Sequence, residues 1–312
     1  MIGHLLLYLF SFVGIWIGTG MAIKSIEKLC RSLKLSSFAI SFLVLGLFTS
    51  ISEFSVGVNA VIDQDPEIYI GNLIGASIVI FMLIIPLLAI TGNSLKINKE
   101  FRGFNLIMSL VVISLPVILA LDGKVDKIDS FISITFFIFL VIFIQTKKGL
   151  LEKISNMKQF KRPKIKKEIL KICVSVLIIF VASHFIVEQT EYFSDIFKIS
   201  SFLMSLLFIA IGTNLPELSF VVRSIFTKNN QVAFGDYVGS ASFNTFIFGF
   251  LTLLYGKSVF LTNSYLISLT FMIIGLISFY FFSRSKNTLS KTEGLILLSI
   301  YFLFLFFEFF LH

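Results

Sequence analysis

Two glutamates stand where a charge is hard to keep. Glu53 is the sole ionisable residue in FAISFLVLGLFTSISEFSVGVNAVI, residues 38–62, and Glu217 is the sole one in TNLPEL, residues 213–218, itself within an apolar run. A carboxylate near the centre of a bilayer costs several kcal/mol unless it faces a protein or aqueous interior and is compensated. No Lys or Arg lies in the core of any apolar run. Compensation must therefore come from a proton, from polar neighbours or from bound cations. Oxygen is plentiful nearby, at Thr49, Ser50, Thr213, Asn214, Ser240 and Asn244. Gly212 and Pro216 flank the second glutamate, and a proline frees a carbonyl one turn earlier. Broken helix in lipid survives only where it is buried in protein or lines a cavity. Carboxylates, hydroxyls and freed carbonyls form a hard-oxygen cage. That chemistry suits Ca²⁺, with about six to eight irregular oxygens, better than octahedral Mg²⁺. A single such Glu could instead be protonated and bonded to a neighbouring helix; two at matched positions argue for a site.

The elements that must position them are membrane spans. The chain is 56% hydrophobic and 14% charged, with 39 Phe in 312 residues and a mean hydropathy of +0.96. A soluble domain could not hide that surface. Ten runs have the ~20 residues that a helix needs to cross ~30 Å of hydrocarbon: about 3–23, 37–61, 69–91, 101–121, 129–146, 169–187, 200–226, 232–255, 261–283 and 293–311. Solid apolar blocks, without alternation, speak against a β-barrel. Of 26 Lys and Arg, 22 fall in the odd-numbered loops and adjoining helix ends; Lys124, Lys127, Lys198 and Lys257 are the other four. The positive-inside rule then predicts odd loops in the cytoplasm and both termini outside. The +8 net charge is thus a topology signal and not a nucleic-acid footprint. The first run has no basic leader region or cleavage site and reads as a true span. Cys30 and Cys173 are expected to be free thiols. His4, His184 and His312 have no HExxH-like partner, and no Ser–His or Cys–His pair has usable spacing. No enzyme and no cofactor are expected.

The basic segment 147–168 divides the ten spans five and five. Two halves with an odd number of spans enter the membrane from opposite sides, so repeats would be inverted. Residues 49–80 lie over 213–244 with a constant offset of 164 and no gap; 6 of 32 positions are identical. These include Thr49/Thr213, Glu53/Glu217, Gly71/Gly235 and Gly75/Gly239. The expected fold is an all-α polytopic membrane protein of ten transmembrane helices in two inverted five-helix repeats. The expected parts are residues 1–146 (core motif 49–80), the cytoplasmic linker 147–168, and residues 169–312 (core motif 213–244). Asp236, at the start of the eighth span, is a candidate for ion access, or else a helix-start residue.

GTNLPEL and GDYVGSASFN resemble the second α-repeat of the sodium/calcium exchangers within the calcium:cation antiporters, whose pattern is approximately GTSxPE followed by GNxxGSxxxN/D. The resemblance implies Glu53 and Glu217 as central ligands, helped by Thr49, Ser50, Thr213, Asn214, Ser240 and Asn244. It also implies that spans 2, 3, 7 and 8 form the ion-binding core and that spans 1 and 6 slide against it. The first repeat departs from the pattern: Phe48 replaces Gly, Ser52 replaces Pro, Ala76 replaces Ser and Ile80 replaces Asn or Asp. With Ser52 for proline, span 2 is expected to break less sharply than span 7. The implied function is secondary active exchange of Ca²⁺, or a similar cation, for Na⁺ or H⁺ in a prokaryotic cell membrane. The alternative is a transport-inactive or ion-sensing homologue with a degraded first repeat.

Overall fold

The computed structural model describes residues 1–32, 46–92, 94–97, 101–146, 165–218, 221, 233–261, 266–284 and 287–310. The start of the second span, most of the basic linker, the end of the seventh span, the Cys30 side chain and His312 lie outside the described residues. In chain order the helices are α1 (Ile2–Ser32), α2 (Gly46–Thr49), α3 (Ile51–Ile62), α4 (Pro66–Thr91), α5 (Phe104–Leu119) and α6 (Lys127–Thr146) in the first half. The second half holds α7 (Ile165–Phe197), α8 (Ser201–Thr213), α9 (Ala233–Tyr255), α10 (Leu266–Arg284) and α11 (Lys291–Phe310). Eight of these are long and apolar enough to cross a membrane. The second and seventh spans are each broken, into α2 and α3 and into α8 and the helical residues 215–218. This gives the ten transmembrane helices in two inverted repeats.

Two boundaries differ from the hydropathy reading. The first and sixth spans run well past residues 3–23 and 169–187, because α1 has 31 residues and α7 has 33. At 1.5 Å per residue each is over ~45 Å long, more than the hydrocarbon thickness. Hydropathy marks only the lipid-embedded part of such a helix. The polar end is secured instead by Glu168, whose carboxylate lies 3.6 Å from both Lys28 and Lys171. Along α1 and α7 the close approach comes from small residues. A Cβ at Gly14 would lie 3.0 Å from that of Ala182, and one at Gly18 would press on Ile179 and the Ser175 carbonyl. This is how membrane helices pack when hydrophobicity alone gives no preference for protein over lipid.

Two short antiparallel ladders staple one half to the other. β1 (Ser94–Lys96), after α4, pairs with β4 (Thr288–Ser290), after α10. β2 (Lys124–Val125), after α5, pairs with β3 (Val259–Phe260), after α9. Each ladder joins loops from the same side of the ten-span chain, and the two ladders lie on opposite sides. The inverted repeat relates them.

Local backbone defects are repaired from neighbouring helices. Pro116 inside α5 cannot donate to the carbonyl four residues back; the Thr245 hydroxyl on α9 donates to that Val112 oxygen at 2.8 Å. The helices α4 and α9 are buried on nearly all sides, whereas α6, α10 and α11 turn large apolar side chains such as Phe131, Phe281 and Phe306 outward, as lipid contact requires.

Candidate ion-binding site

Both broken spans break at the same place. The interrupting residues are Ser50 (φ −77°, ψ 8°) and Asn214 (φ −86°, ψ 9°), which are equivalent under the 164-residue offset. The expectation of a milder break in span 2 is therefore not met, although Ser52 replaces proline there. A proline is unnecessary because side chains hold the interruption. Ser50 Oγ donates to the Gly46 carbonyl at 3.0 Å, and Asn214 Nδ2 donates to the Ala210 carbonyl at 2.7 Å. Such back-bonding competes with the regular helical ladder. Gly212 lies inside α8, two residues before the break, where its missing Cβ makes room for the Phe12 ring of α1. Pro216 falls just after the break, in the turn 215–218.

The breaks meet because glycine lets the helices cross closely. A Cβ on Gly46 would lie 2.7 Å from the Gly239 carbonyl carbon and 2.8 Å from the Ser240 nitrogen on α9. At the symmetry-related crossing, Gly75 on α4 faces the Leu206 carbonyl and Ala210, and Gly71 faces the Phe202 carbonyl, on α8. Gly75 and Ala210 are the symmetry counterparts of Gly239 and Gly46. Gly235 is likewise buried on α9. The π-turn Ser205–Ile209 sits in α8 opposite this glycine stripe, and a second, Ile80–Ile84, sits in α4 just before Pro86.

Around this crossing Thr49, Ser50, Glu53, Thr213, Asn214, Glu217, Ser240 and Asn244 are all buried, each at 0% exposure. Glu53 Oε2 accepts from Ser52 at 2.9 Å, and Glu217 Oε1 from Ser240 at 3.5 Å. The Thr49 hydroxyl donates to the Gly46 carbonyl at 3.3 Å, and the Thr213 hydroxyl to Asn72 Oδ1 on α4 at 3.2 Å. Ser50 Oγ and Ser240 Oγ lie 3.0 Å apart, tying α2/α3 to α9. Glu53 Oε1, Glu217 Oε2, Asn214 Oδ1 and both polar atoms of Asn244 have no hydrogen-bond partner. Buried polar atoms are ordinarily paired, so this cluster of orphaned oxygens is the site's distinguishing feature. Asp236, the access candidate, is buried and close enough for its charge to act on Glu217.

Sequence reasoning missed Asn72. It is fully buried, its Oδ1 accepts from Thr213 Oγ1 at 3.2 Å, and its Nδ2 has no partner. The signal was available, since Asn72 is the second residue of GNLIGA and the counterpart of Asp236. Ala76 and Ile80 are both fully buried on the same helix, so the second repeat contributes more side-chain oxygen than the first. Among the described residues no group of three or more Asp, Glu, His or Cys side chains gathers as a metal cluster. Apart from Glu53, Glu217 and Asp236, the side-chain oxygens named here are neutral.

One broken span in each of two inverted repeats defines the class of fold, a polytopic helical membrane protein of two inverted repeats. The model of the sodium/calcium exchanger protein family matches residues 3–145 and again 167–310, and the chain belongs to that family. It is 23% identical to the sodium/calcium exchanger MaX1 of Methanosarcina acetivorans, over 97% of both chains. It is 24% identical to the inner membrane protein YrbG of Escherichia coli, over 70% of both. Its fold matches a solved structure of the sodium–calcium exchanger NCX_Mj soaked with Na⁺ and Sr²⁺, with a TM-score of 0.68, 20% identity and 97% of both chains covered.

Proposed function

We propose that this chain is a secondary active antiporter that exchanges Ca²⁺, or a similar cation, for Na⁺ or H⁺ at one site between Glu53 and Glu217. The observation that carries this is the pair of fully buried carboxylates, each with one oxygen unpartnered, on the same broken or neighbouring spans as the unpartnered amide oxygens of Asn214 and Asn244. Thr49, Ser50, Thr213 and Ser240 complete the donor set as hydroxyls. Two carboxylates balance one divalent ion, or an equivalent number of monovalent charges. Left empty, they would be costly in a closed, dry state. Occlusion is then favoured for loaded states, and this couples the two fluxes.

In this scheme the second, third, seventh and eighth spans (α2 with α3, α4, α8 with residues 215–218, and α9), from residues 1–146 and 169–312, hold the ion. The long α1 and α7 pair moves against them to expose each side in turn. The charge asymmetry of the loops supports a cytoplasmic 147–168 linker and both termini outside a prokaryotic cell membrane. Inorganic cations and the bilayer are the partners; nothing in the scheme calls for nucleic acid, a cofactor or catalysis.

The test is radioactive Ca²⁺ uptake into vesicles containing the purified chain, with an outward Na⁺ gradient, an outward H⁺ gradient, or none. Uptake that requires one gradient and is lost in Glu217→Gln is expected, and it would name the driving ion. A second reading, a transport-inactive ion sensor, is favoured by one observation: Ala76 and Ile80 replace two side-chain donors in the first repeat. Cation binding without uptake under any gradient would select it.

A further inference from the structure

Ser52 stands at the position that Pro216 occupies in the second repeat, and its surroundings are unlike those of an ordinary helix serine. Its hydroxyl is fully buried. It lies 2.9 Å from Glu53 Oε2, 3.1 Å from the Thr49 carbonyl and 3.3 Å from the Thr213 carbonyl. The Thr49 contact is the common back-bond to the preceding turn. The other two are not: one reaches a carboxylate and the other crosses to the break of the opposite repeat. Three acceptors thus converge on a group with a single proton. That proton can serve only one of the three at a time. Converging carbonyl and carboxylate oxygens are the environment of a hard cation.

We propose that Ser52 is a cation ligand, supplying from the proline position an oxygen that the first repeat lacks at Ala76 and Ile80. The proposal rests on the two-glutamate site. With the site vacant, the hydroxyl proton points at Glu53 and partly satisfies the oxygens gathered there. When a cation enters, the hydroxyl turns its proton away and presents a lone pair beside the Thr49 and Thr213 carbonyls. Pro216, with neither proton nor side-chain oxygen, can do neither. The two repeats therefore contribute unequally, Ser52 from the first and Ser240 with Asn244 from the second.

Equilibrium ⁴⁵Ca²⁺ binding to the purified full-length protein, alone and in competition with Na⁺, tests this with Ser52→Ala, Ser52→Thr, Ser52→Pro and Glu217→Gln. Loss of one ligand is expected to weaken binding roughly tenfold in Ser52→Ala and Ser52→Pro, while Ser52→Thr, which keeps the hydroxyl, stays within about twofold of wild type. If Ser52→Ala does not fold, Ser52→Pro carries the comparison, since the fold already holds proline at the equivalent position. Ser52→Ala or Ser52→Pro binding as wild type, with Glu217→Gln inactive, would overturn the role of Ser52 and leave the site standing. So would Ser52→Thr binding no better than Ser52→Ala. Glu217→Gln binding as wild type, or no binding by wild type, would instead overturn the two-glutamate site.

Discussion

Ser50 and Asn214, 164 residues apart, do the same job with different chemistry: each turns its side chain back onto the carbonyl four residues earlier and so holds its helix broken. The two are not equally indispensable. Ser50 keeps its own backbone donor on Gly46, at 3.3 Å, whereas the Asn214 backbone N–H turns to Gly212 and leaves the Ala210 carbonyl to the side chain. Asn214→Ala should therefore strip the better partner from a buried carbonyl, at a cost of about 1–3 kcal/mol. Ser50→Ala should cost less. Thermal unfolding of the two variants without added cation should rank them in that order; equal midpoints would mean that the side-chain bonds do not hold the breaks.

Gly46 sets how closely α2 approaches α9. A methyl group there would meet backbone, at 2.7 Å from Gly239 and 2.8 Å from Ser240, and backbone cannot rotate away. Gly46→Ala should push the helices apart and cost about 1–3 kcal/mol, as overpacking does. It should also lengthen the 3.0 Å contact between Ser50 and Ser240, so cation binding should weaken together with stability. A variant that melts normally and binds normally would show that this crossing is not under constraint.

Much of this was legible in the sequence for a definite reason. Glu53 and Glu217 are conspicuous because the surrounding hydrocarbon makes each costly, and an ungapped offset between them needs no structure to see. Ser52 and Asn72 were not conspicuous. Their importance depends on which oxygens the opposite repeat brings near, and a linear sequence does not place Thr213 beside residue 52 or 72. A missing proline suggests a milder break at Ser50, but side-chain bonding to carbonyls holds that break without one. The overlong α1 and α7 were shortened because hydropathy reports lipid contact and not helix length.

Asp65, in the turn between α3 and α4, gives a stability dependence on pH. Partial burial holds its carboxyl above the ordinary aspartate value, opposed by hydrogen bonds from Ser201 and from the backbone at Glu67 and Ile68. Ionisation is therefore harder in the folded chain than in the unfolded one. The stability this contributes is complete below the unfolded value of about 4 and is lost as pH rises through the higher folded value. Asp65→Asn does not titrate and can still accept these bonds. Its melting point should exceed that of wild type at neutral pH, with the gap closing in acid. A gap independent of pH would assign the effect to packing.

Asn59 ties α3 to α7, and the tie is specific. Its Nδ2 donates to Ser183 Oγ at 2.7 Å and reaches the Phe180 carbonyl at 3.3 Å, both on α7, as well as Ser55 on its own helix at 3.0 Å. If α7 moves against α3 during exchange, this bond must break in each cycle. Asn59→Ala should lower stability by about 1–3 kcal/mol and raise the turnover of uptake relative to binding. Unchanged turnover with the stability loss alone would mean that the contact persists through the cycle.

Ala76 and Ile80 follow Asn72 at intervals of four on α4, and residues four apart share a helix face. Asn72 presents its amide oxygen to Thr213, so donors placed at 76 and 80 would be on the side of the helix that meets the break. Ala76→Ser adds one oxygen at little cost in volume. Ile80→Asn also removes apolar packing at the start of the π-turn and should be the less stable of the two. Together they should tighten cation binding by about 3–10-fold, with a larger gain for Na⁺ than for Ca²⁺, since the added donors are neutral and leave the site charge unchanged. Competition binding on the single and double variants separates the ions. Equal affinities throughout would mean that this face of α4 does not reach the ion, and that the first repeat acts through Thr49, Ser50, Ser52 and Glu53 alone.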